Sequence, residues 1–243
     1  MNSYSKNTKG GRIMHITLTG NLGSGKSTLS KILEKDYGFE VFSTGKIIRE
    51  IAKEQGISVL EMNKLMKEDS KYDHMIDDTS ARISREQKEK DILFDSRLAW
   101  NFVEESFKVF LSVSLDVATK RVMGDGSRGD VETYASLEEC KNSLLERAAE
   151  EDKRYKDIYG IEYFNYSNYN LVLDSSDCEP EVLAKLLVEE AKKFAEKKAQ
   201  GQPEGTKLIL DKNRSEEDFA TERAKGEKRF EEYYGKTFQV IEL

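Results

Sequence analysis

The feature that most constrains this chain is the segment Gly20–Ser27, which reads G-N-L-G-S-G-K-S and fits the pattern G-x-x-x-x-G-K-[S/T]. Its glycines allow successive backbone N–H groups to turn inward around phosphate oxygens. In loops of this kind the lysine reaches the β- and γ-phosphates, and the hydroxyl residue after it ligates Mg²⁺. The flanking residues fit, because 13–19 have the pattern of a buried strand and 27–33 that of a helix.

The segment therefore predicts a phosphate-binding loop for a nucleoside triphosphate, with Mg²⁺ as the accompanying ion. Ser27 is the predicted metal ligand within it, and Lys26 the predicted catalytic cation. The residues expected to contact the triphosphate are Gly20, Asn21, Leu22, Gly23, Ser24, Gly25, Lys26, Ser27 and Thr28.

Strand and helix patterns alternate along the rest of the chain. Short apolar runs predict strands at 39–42, 92–95, 109–113 and 171–174. Helical spacing predicts helices at about 46–55, 72–89, 116–123, 136–159 and 180–198. This alternation predicts an α/β fold with a mostly parallel sheet covered by helices on both faces.

Composition limits the kinds of partner and the cellular environment that fit this chain. The net charge of −7 argues against general binding to nucleic acids or anionic membranes. The two cysteines, Cys140 and Cys178, form no C-x-x-C pair, which argues against a disulfide framework or a structural zinc site and fits a reducing cytoplasm. No apolar run approaches the roughly 20 residues of a membrane span. Residues 1–12 are polar and are expected to form a disordered tail.

An acidic residue and an arginine follow the predicted strand at 92–95. Asp95 ends this strand, and in phosphate-loop proteins such an aspartate lies beside the loop and orients Mg²⁺ directly or through water. Arg97 comes two residues later, where the carboxyl end of a central strand opens into the ligand crevice. Both residues are therefore candidates for the active site.

Three charged residues share one face of the long helix predicted at 136–159. Arg147, Glu151 and Arg154 are spaced i, i+4 and i+7. The glycine-rich segment 124–130, which contains Arg128, precedes this helix. Phosphoryl transfer needs cations where negative charge accumulates, and a closing lid excludes water. The pattern therefore predicts an arginine-bearing lid next to the phosphate loop.

No residue in the sequence stands out as a general base. An acceptor phosphate has its second pKa near 6, so it is already mostly ionised at neutral pH and needs no base. A hydroxyl acceptor usually needs a carboxylate, and Asp95 is the obvious candidate for that role. The absence of a base thus favours a kinase that acts on a monophosphate.

Residues about 13–195 resemble the cytidylate kinase family, in particular its shorter archaeal type, within the nucleoside monophosphate kinases. The resemblance rests on the phosphate loop, on F-S-T-G with I-R at 42–49, on D-S-R-L-A-W at 95–100, on Arg121, and on 146–161. The last segment is the most specific, because an arginine–acid–arginine face followed by Y-x-x-x-Y-G-I is typical of this family. Asp95-Ser96-Arg97 departs from the more common acid-Gly-Arg pattern.

The resemblance implies transfer of phosphate from ATP to CMP or dCMP, with Mg²⁺. It also implies a P-loop α/β/α fold with a five-stranded parallel sheet, a helical insert that binds the monophosphate, and a lid. Arg147 and Arg154 would reach the phosphates from the lid side, and Arg97 would contact the phosphate or the base region of the monophosphate. The loop after Asp174 would lie by the adenine. The residues implied for the monophosphate side are Ser43, Gly45, Arg49, Arg97, Glu151 and Arg128.

The resemblance covers a kinase domain at 13–199 and leaves out residues 200–243. Residues 207–210 and 238–241 have strand patterns, and a helix is predicted to begin near Ser215. We expect a small β-α-β appendage that packs on the kinase domain or pairs with another subunit. The protein is expected to be a monomer or a homodimer.

Two alternative functions remain at this stage. One is a P-loop kinase of a hydroxyl acceptor such as a deoxynucleoside, with Asp95 as the base. The other is a regulatory protein that binds nucleotides without turnover. The segment 147–161 favours the monophosphate kinase over the first, and the retention of Lys26, Ser27 and Asp95 argues against the second. A GTPase is disfavoured because the sequence has no N-K-x-D motif.

Overall fold

The computed structural model describes residues 15–58, 61–62, 65, 71–124, 134–202, 207–210 and 239–242. Strands and helices alternate along this part of the chain. In chain order the elements are β1 (His15–Gly20), α1 (Lys26–Tyr37), β2 (Glu40–Ser43), α2 (Thr44–Glu54), α3 (Lys71–Glu86), β3 (Ile92–Asp95), α4 (Ala99–Phe102), β4 (Ser106–Ser112), α5 (Leu115–Gly124), α6 (Leu137–Tyr159), β5 (Leu171–Asp174), α7 (Pro180–Ala199), β6 (Lys207–Leu210) and β7 (Gln239–Glu242).

One parallel sheet organises these elements. Its strand order is β2-β3-β1-β4-β5-β6-β7, and each neighbouring pair is parallel. The first five strands form the predicted five-stranded parallel sheet, which is confirmed. The two strands at 207–210 and 239–242 continue the same sheet beyond β5, in register from Leu171 opposite Lys207.

Residues that alternate along the strands build a core on each face of the sheet, as the two-residue period requires. On one face the side chains of β1, β4 and β5 pack against α1 and α7, and this cluster includes Leu18, Leu29, Leu111, Leu173 and Leu187. The opposite face is rich in aromatic rings, which include Trp100, Phe110, Tyr163 and Tyr169. The helix–sheet–helix layering predicted from the sequence is thereby confirmed.

Helices α2 and α3 form a unit with a small core of its own between β2 and β3. Ile47 and Ile51 of α2 pack against Tyr72 and Ile76 of α3. Ser43 caps α2, since its Oγ accepts a hydrogen bond of 3.3 Å from the amide of Lys46. This unit lies where the sequence predicts the helical insert.

Most predicted elements are present with shifted ends. The strand predicted at 109–113 begins three residues earlier, at Ser106, because Ser106 and Phe107 pair with His15 and Ile16 of β1. The short helix α4 and a 3₁₀ turn at Tyr166–Asn168 are not predicted by the sequence patterns, which detect longer periodic segments. The predicted tail at 1–12, the glycine-rich segment after Gly124 and the helix near Ser215 lie outside the described residues.

Among the helices that the structure describes, none combines the length and apolar character needed to cross a membrane.

Candidate active site

The loop between β1 and α1 approaches the neighbouring strand so closely that it requires glycine. A Cβ on Gly20, which has a φ of 149°, would lie 2.1 Å from the carbonyl oxygen of Leu111. A Cβ on Gly23 would lie 2.9 Å from the carbonyl oxygen of Ala118 on α5. Gly25 precedes α1 in the left-handed conformation, with a φ of 86°. The loop therefore wraps around the start of α1 against the ends of β4 and α5.

Hydrogen bonds fix this loop to the carboxyl ends of β4 and β5. The amide of Asn21 donates to the carbonyl of Leu111 at 3.1 Å, and its Oδ1 accepts from the amide of Val113 at 3.3 Å. The hydroxyl of Ser175, directly after β5, donates to the carbonyl of Ser24 at 2.9 Å. The loop is thus held before any ligand binds, which lowers the entropic cost of binding.

A cleft of about 630 Å³ opens above the loop and the beginning of α1. Its lining includes every residue from Leu22 to Thr28, together with Arg97, Arg121 and Cys178. The Nζ of Lys26 donates to the carbonyls of Gly20 and Asn21, at 3.2 Å each. The Oγ of Ser24 is buried and has no hydrogen-bond partner among the described residues.

These features fit a polyphosphate. The first amides of α1 have no intrahelical acceptors and carry the positive end of the helix dipole. Lys26, Arg97 and Arg121 add positive charge around the same cleft. The unpartnered hydroxyl of Ser24 offers a further donor in the lining. A highly charged anion such as a triphosphate satisfies all of these groups.

Asp95 lies at the carboxyl end of β3, beside the phosphate loop. Its backbone is in register with Leu18 of β1 and with Ser43 of β2. Its Oδ2 accepts a hydrogen bond of 3.2 Å from the hydroxyl of Ser30, which lies three residues after Ser27 on α1. The parallel register therefore brings the predicted metal ligand next to Ser43, one of the residues implied for the monophosphate side.

Ser43, Gly45 and Arg49 form a group at the start of α2. The Nη1 of Arg49 lies 3.6 Å from the position that a Cβ on Gly45 would take, and the Oγ of Ser43 lies 4.0 Å from it. Gly45 and Arg49 are exposed. The sequence implied that these residues act together, and the structure places them together beside the carboxyl ends of β2 and β3.

Arg97 connects the phosphate loop to the long helix α6. Its Nη1 donates to the carbonyl of Gly20 at 2.8 Å, and its Nε and Nη2 contact the two carboxylate oxygens of Glu151 at 3.3 Å each. The hydroxyl of the buried Tyr163 also donates to the Gly20 carbonyl, at 3.3 Å. The bidentate pair with Glu151 fixes the plane of the Arg97 guanidinium at the edge of the cleft.

Arg154 lies one turn after Glu151 on α6 and forms an ion pair with Asp73 of α3. Next to it, the hydroxyl of Tyr159 donates to Oδ2 of Asp77 at 2.6 Å. Burial raises the pKa of the Asp77 carboxyl from its usual 3.8 to about 6, against the opposing effect of the Tyr159 hydrogen bond. Sequence reasoning missed Asp73 and Asp77, although their spacing of four residues on a predicted helix could have indicated a shared face.

The remaining predicted cations differ in their relation to the cleft. Arg147 is half-buried on α6, on the face that its spacing from Glu151 predicts. Arg121 donates from Nη2 to the carbonyls of Ser175 and Ser176, at 2.7 and 3.3 Å, which joins α5 to the loop after β5. Arg128, predicted for the lid, lies outside the described residues.

Comparison with known proteins finds one matching family model and several relatives named cytidylate kinase. A family model described as the cytidylate kinase-like family matches residues 15–177. The chain is 31% identical to a cytidylate kinase of Methanococcoides burtonii over 72% of this chain and 94% of that protein. It is 34% identical to a cytidylate kinase of Haloarcula marismortui over 69% of this chain and 84% of that protein.

Among solved structures, an uncharacterized protein from Eubacterium ventriosum is similar in fold. The TM-score is 0.54 at 15% identity, and the match covers 73% of this chain and 98% of that one. The sequence matches carry the assignment: the chain belongs to the cytidylate kinase-like family and is a phosphotransferase of the nucleoside monophosphate kinase type.

Proposed function

We propose that this enzyme transfers the γ-phosphoryl group of ATP to CMP or dCMP and releases ADP and the cytidine diphosphate. The observation that carries the proposal is the position of Arg97, which contacts both the phosphate loop at Gly20 and the Glu151–Arg154 face of α6. A cation placed between a triphosphate site and a second charged surface can stabilise the phosphoryl group as it moves from one nucleotide to the other.

The donor half of this site is the cleft above Gly20–Thr28. The backbone amides of the loop and the first turn of α1 bind the phosphates of ATP, and Lys26 contacts the β- and γ-phosphates. To do so, the ammonium group of Lys26 exchanges its contacts with the carbonyls of Gly20 and Asn21 for phosphate oxygens. The loop after Asp174 would lie by the adenine, where Arg121 already holds its backbone.

The acceptor half lies at the carboxyl ends of β2 and β3. Ser43, Gly45 and Arg49 bind the monophosphate, because they lie together next to Asp95 and two of them, Gly45 and Arg49, are exposed. Arg97 contacts the same phosphate, and Glu151 contacts the nucleoside after releasing part of its hold on Arg97. We also include Arg128 of the segment after α5 as a residue that closes over this half.

Bound Mg²⁺ would supply positive charge to the phosphates at this site. Ser27 and Asp95 are the residues that we propose to hold it. One hydroxyl and one carboxylate suit Mg²⁺, which usually keeps several waters and shares phosphate oxygens. Ser30 fixes the orientation of the Asp95 carboxylate through its hydrogen bond.

No step of this transfer requires a protein base, because the acceptor phosphate is already ionised at neutral pH. Lys26, Arg97, Arg147 and Arg154 instead stabilise the charge shared between donor and acceptor. Arg147 and Arg154 approach from α6, on the same face as Glu151. Catalysis then rests on positioning and on preorganised positive charge.

We further propose that residues 13–199 form the kinase domain and 200–243 an appendage, with 1–12 as a tail. Pairing of β6 with β5 supports an appendage that packs on the kinase domain. We place the enzyme in the cytoplasm, as a monomer or homodimer acting on small molecules. The low cysteine content supports the cytoplasm, and the net charge of −7 supports small molecules over nucleic acids as partners.

The test is a coupled assay of ADP release with ATP·Mg²⁺ against CMP, dCMP, UMP, AMP, GMP and the free nucleosides. We expect CMP and dCMP to give the highest kcat/KM, with little turnover of the nucleosides. Faster turnover of a free nucleoside would favour a kinase of a hydroxyl acceptor. No turnover with any monophosphate would refute the proposal.

A further inference from the structure

Helices α3 and α6 meet through three contacts that involve consecutive turns of each helix. Asp73 of α3 pairs with Arg154, and Asp77, one turn later, accepts a hydrogen bond of 2.6 Å from Tyr159. Between them the ring of His74 packs edge-on against Tyr159, with 5.0 Å between ring centroids. Polar contacts thus join a helix of the insert to the helix that carries the predicted arginines.

The geometry at Arg154 leaves part of the guanidinium available. The pair with Asp73 uses Nη2, and the Arg154 side chain remains 50% exposed whereas that of Asp73 is 20% exposed. A guanidinium carries five N–H donors in a fixed planar fork, so a carboxylate on one edge orients the others. Asp73 can therefore hold Arg154 while its remaining donors bind a phosphate.

The same arrangement occurs at Arg97. Its guanidinium is held by Glu151 on one edge and still reaches the carbonyl of Gly20 with Nη1. Because Glu151 and Arg154 are three residues apart on α6, the two arginine–carboxylate pairs are neighbours on one surface. Each arginine is thus paired with a carboxylate from another element, which limits repulsion between the two cations before a phosphate binds.

We propose that Asp73 is a positioning residue for Arg154 in phosphoryl transfer, so that the docking of α3 on α6 sets the direction of this arginine. The inference rests on the proposed function and adds to it a residue outside the phosphate loop and the α6 face. The Tyr159–Asp77 hydrogen bond and the His74 ring hold the two helices in the arrangement that the pair requires.

The experiment is a double-mutant cycle of Asp73→Asn and Arg154→Ala, measured by single-turnover transfer from ATP to CMP. If Asp73 acts through Arg154, Asp73→Asn lowers the transfer rate about tenfold in the wild-type background. In the Arg154→Ala background the same change alters the rate by less than about twofold. The affinity for ATP, measured by calorimetry, stays unchanged in Asp73→Asn.

The matched control is Glu86→Gln, which removes the carboxylate of an exposed ion pair with Arg82 on the same helix. We expect it to leave the transfer rate within about twofold of wild type, as surface pairs contribute little. An equal loss from Asp73→Asn in both backgrounds would overturn the positioning role, because it would indicate a general effect on the fold. An Asp73→Asn variant with wild-type rate would overturn it as well.

The wild-type reaction separates this inference from the proposed function. Turnover by wild type with an unaffected Asp73→Asn variant would refute the positioning role alone. Absence of wild-type turnover with every monophosphate would refute both.

Discussion

The proposed donor and acceptor halves of this site are built in different ways. The donor half comes from one continuous segment, in which the loop and the first turn of α1 supply most of the lining of the cleft. The acceptor half is assembled from β2, β3, α2, α3 and α6. Its decisive contacts join residues far apart in sequence, with a separation of 54 positions from Arg97 to Glu151 and of 81 from Asp73 to Arg154.

This difference has a physical consequence. The donor half depends on backbone geometry, so a single residue there can abolish binding or distort the loop. The acceptor half depends on pairs of side chains, each of which orients another charged group. We therefore expect the largest single-residue effects in the donor half and smaller, strongly coupled effects in the acceptor half.

The largest expected effect is that of Lys26→Ala. It removes the cation at the β- and γ-phosphates, and we expect turnover to fall by about 10³-fold or more. Lys35→Ala, an exposed lysine in the last turn of the same helix, is the control and should be neutral. Steady-state ADP release measures both variants. Near-wild-type activity in Lys26→Ala would refute the assignment of the donor half.

Gly20→Ala tests whether the loop depends on backbone approach. The added Cβ would lie 2.1 Å from the carbonyl oxygen of Leu111, so the loop must shift away from β4. We expect a loss of about 3 kcal/mol in the free energy of unfolding. Gly38→Ala is the control, since its φ of 78° is also positive but a Cβ would meet nothing within 4 Å. Equal losses in urea unfolding for the two variants would show that φ alone, not the approach to Leu111, is responsible.

Arg97→Ala probes the residue that joins the two halves. We expect kcat to fall about 10²-fold, because a cation that serves the transferred group is lost. Arg97→Lys should recover little of this, since an ammonium group cannot make the bidentate contact with Glu151. Arg82→Ala, which removes exposed ion pairs with Glu54 of α2 and Glu86 of α3, serves as control. Full recovery of kcat in Arg97→Lys would show that charge alone matters at this position.

The sequence was sufficient to predict a phosphate-loop segment between a strand and a helix, and to predict the strands of the parallel core. The phosphate loop is a local motif, and β3 and β5 match their predicted ranges at 92–95 and 171–174 because short apolar runs bounded by polar residues define them. The face shared by Arg147, Glu151 and Arg154 also follows from helical spacing. These predictions need only local periodicity.

Contacts between segments that are distant in sequence could not be predicted from local periodicity. Nothing local to Asp73 or Asp77 indicates that α3 faces the carboxyl-terminal turns of α6. Likewise the strand patterns at 207–210 and 238–241 did not reveal that β6 and β7 continue the central sheet, because the partner of a strand depends on topology. Contacts between distant segments require the tertiary arrangement itself.

The smallest expected effect concerns the buried carboxyl of Asp77, and it depends on pH. Its pKa is raised from 3.8 to about 6 by burial; Tyr159 on α6 and His74 oppose this shift, whereas the neighbouring Asp73 and Asp78 add to it. Between these two values the native state binds more protons than the unfolded state. Stability therefore falls as the pH rises from about 4 to about 6 and then levels off, at a cost of about 3 kcal/mol.

Asp77→Asn removes this cost and keeps an oxygen that can accept the hydrogen bond of Tyr159. We expect the variant to exceed wild type in the free energy of unfolding by about 1–2 kcal/mol at pH 7.5, with the difference shrinking as the pH falls through 6 toward 4. Urea unfolding at several pH values measures this, with Glu86→Gln, an exposed carboxylate at the end of the same helix, as control. A gain that is independent of pH would mean that the ionised carboxylate is not the source of the cost. A loss at pH 7.5 would show instead that the charge of Asp77 stabilises the contact between α3 and α6.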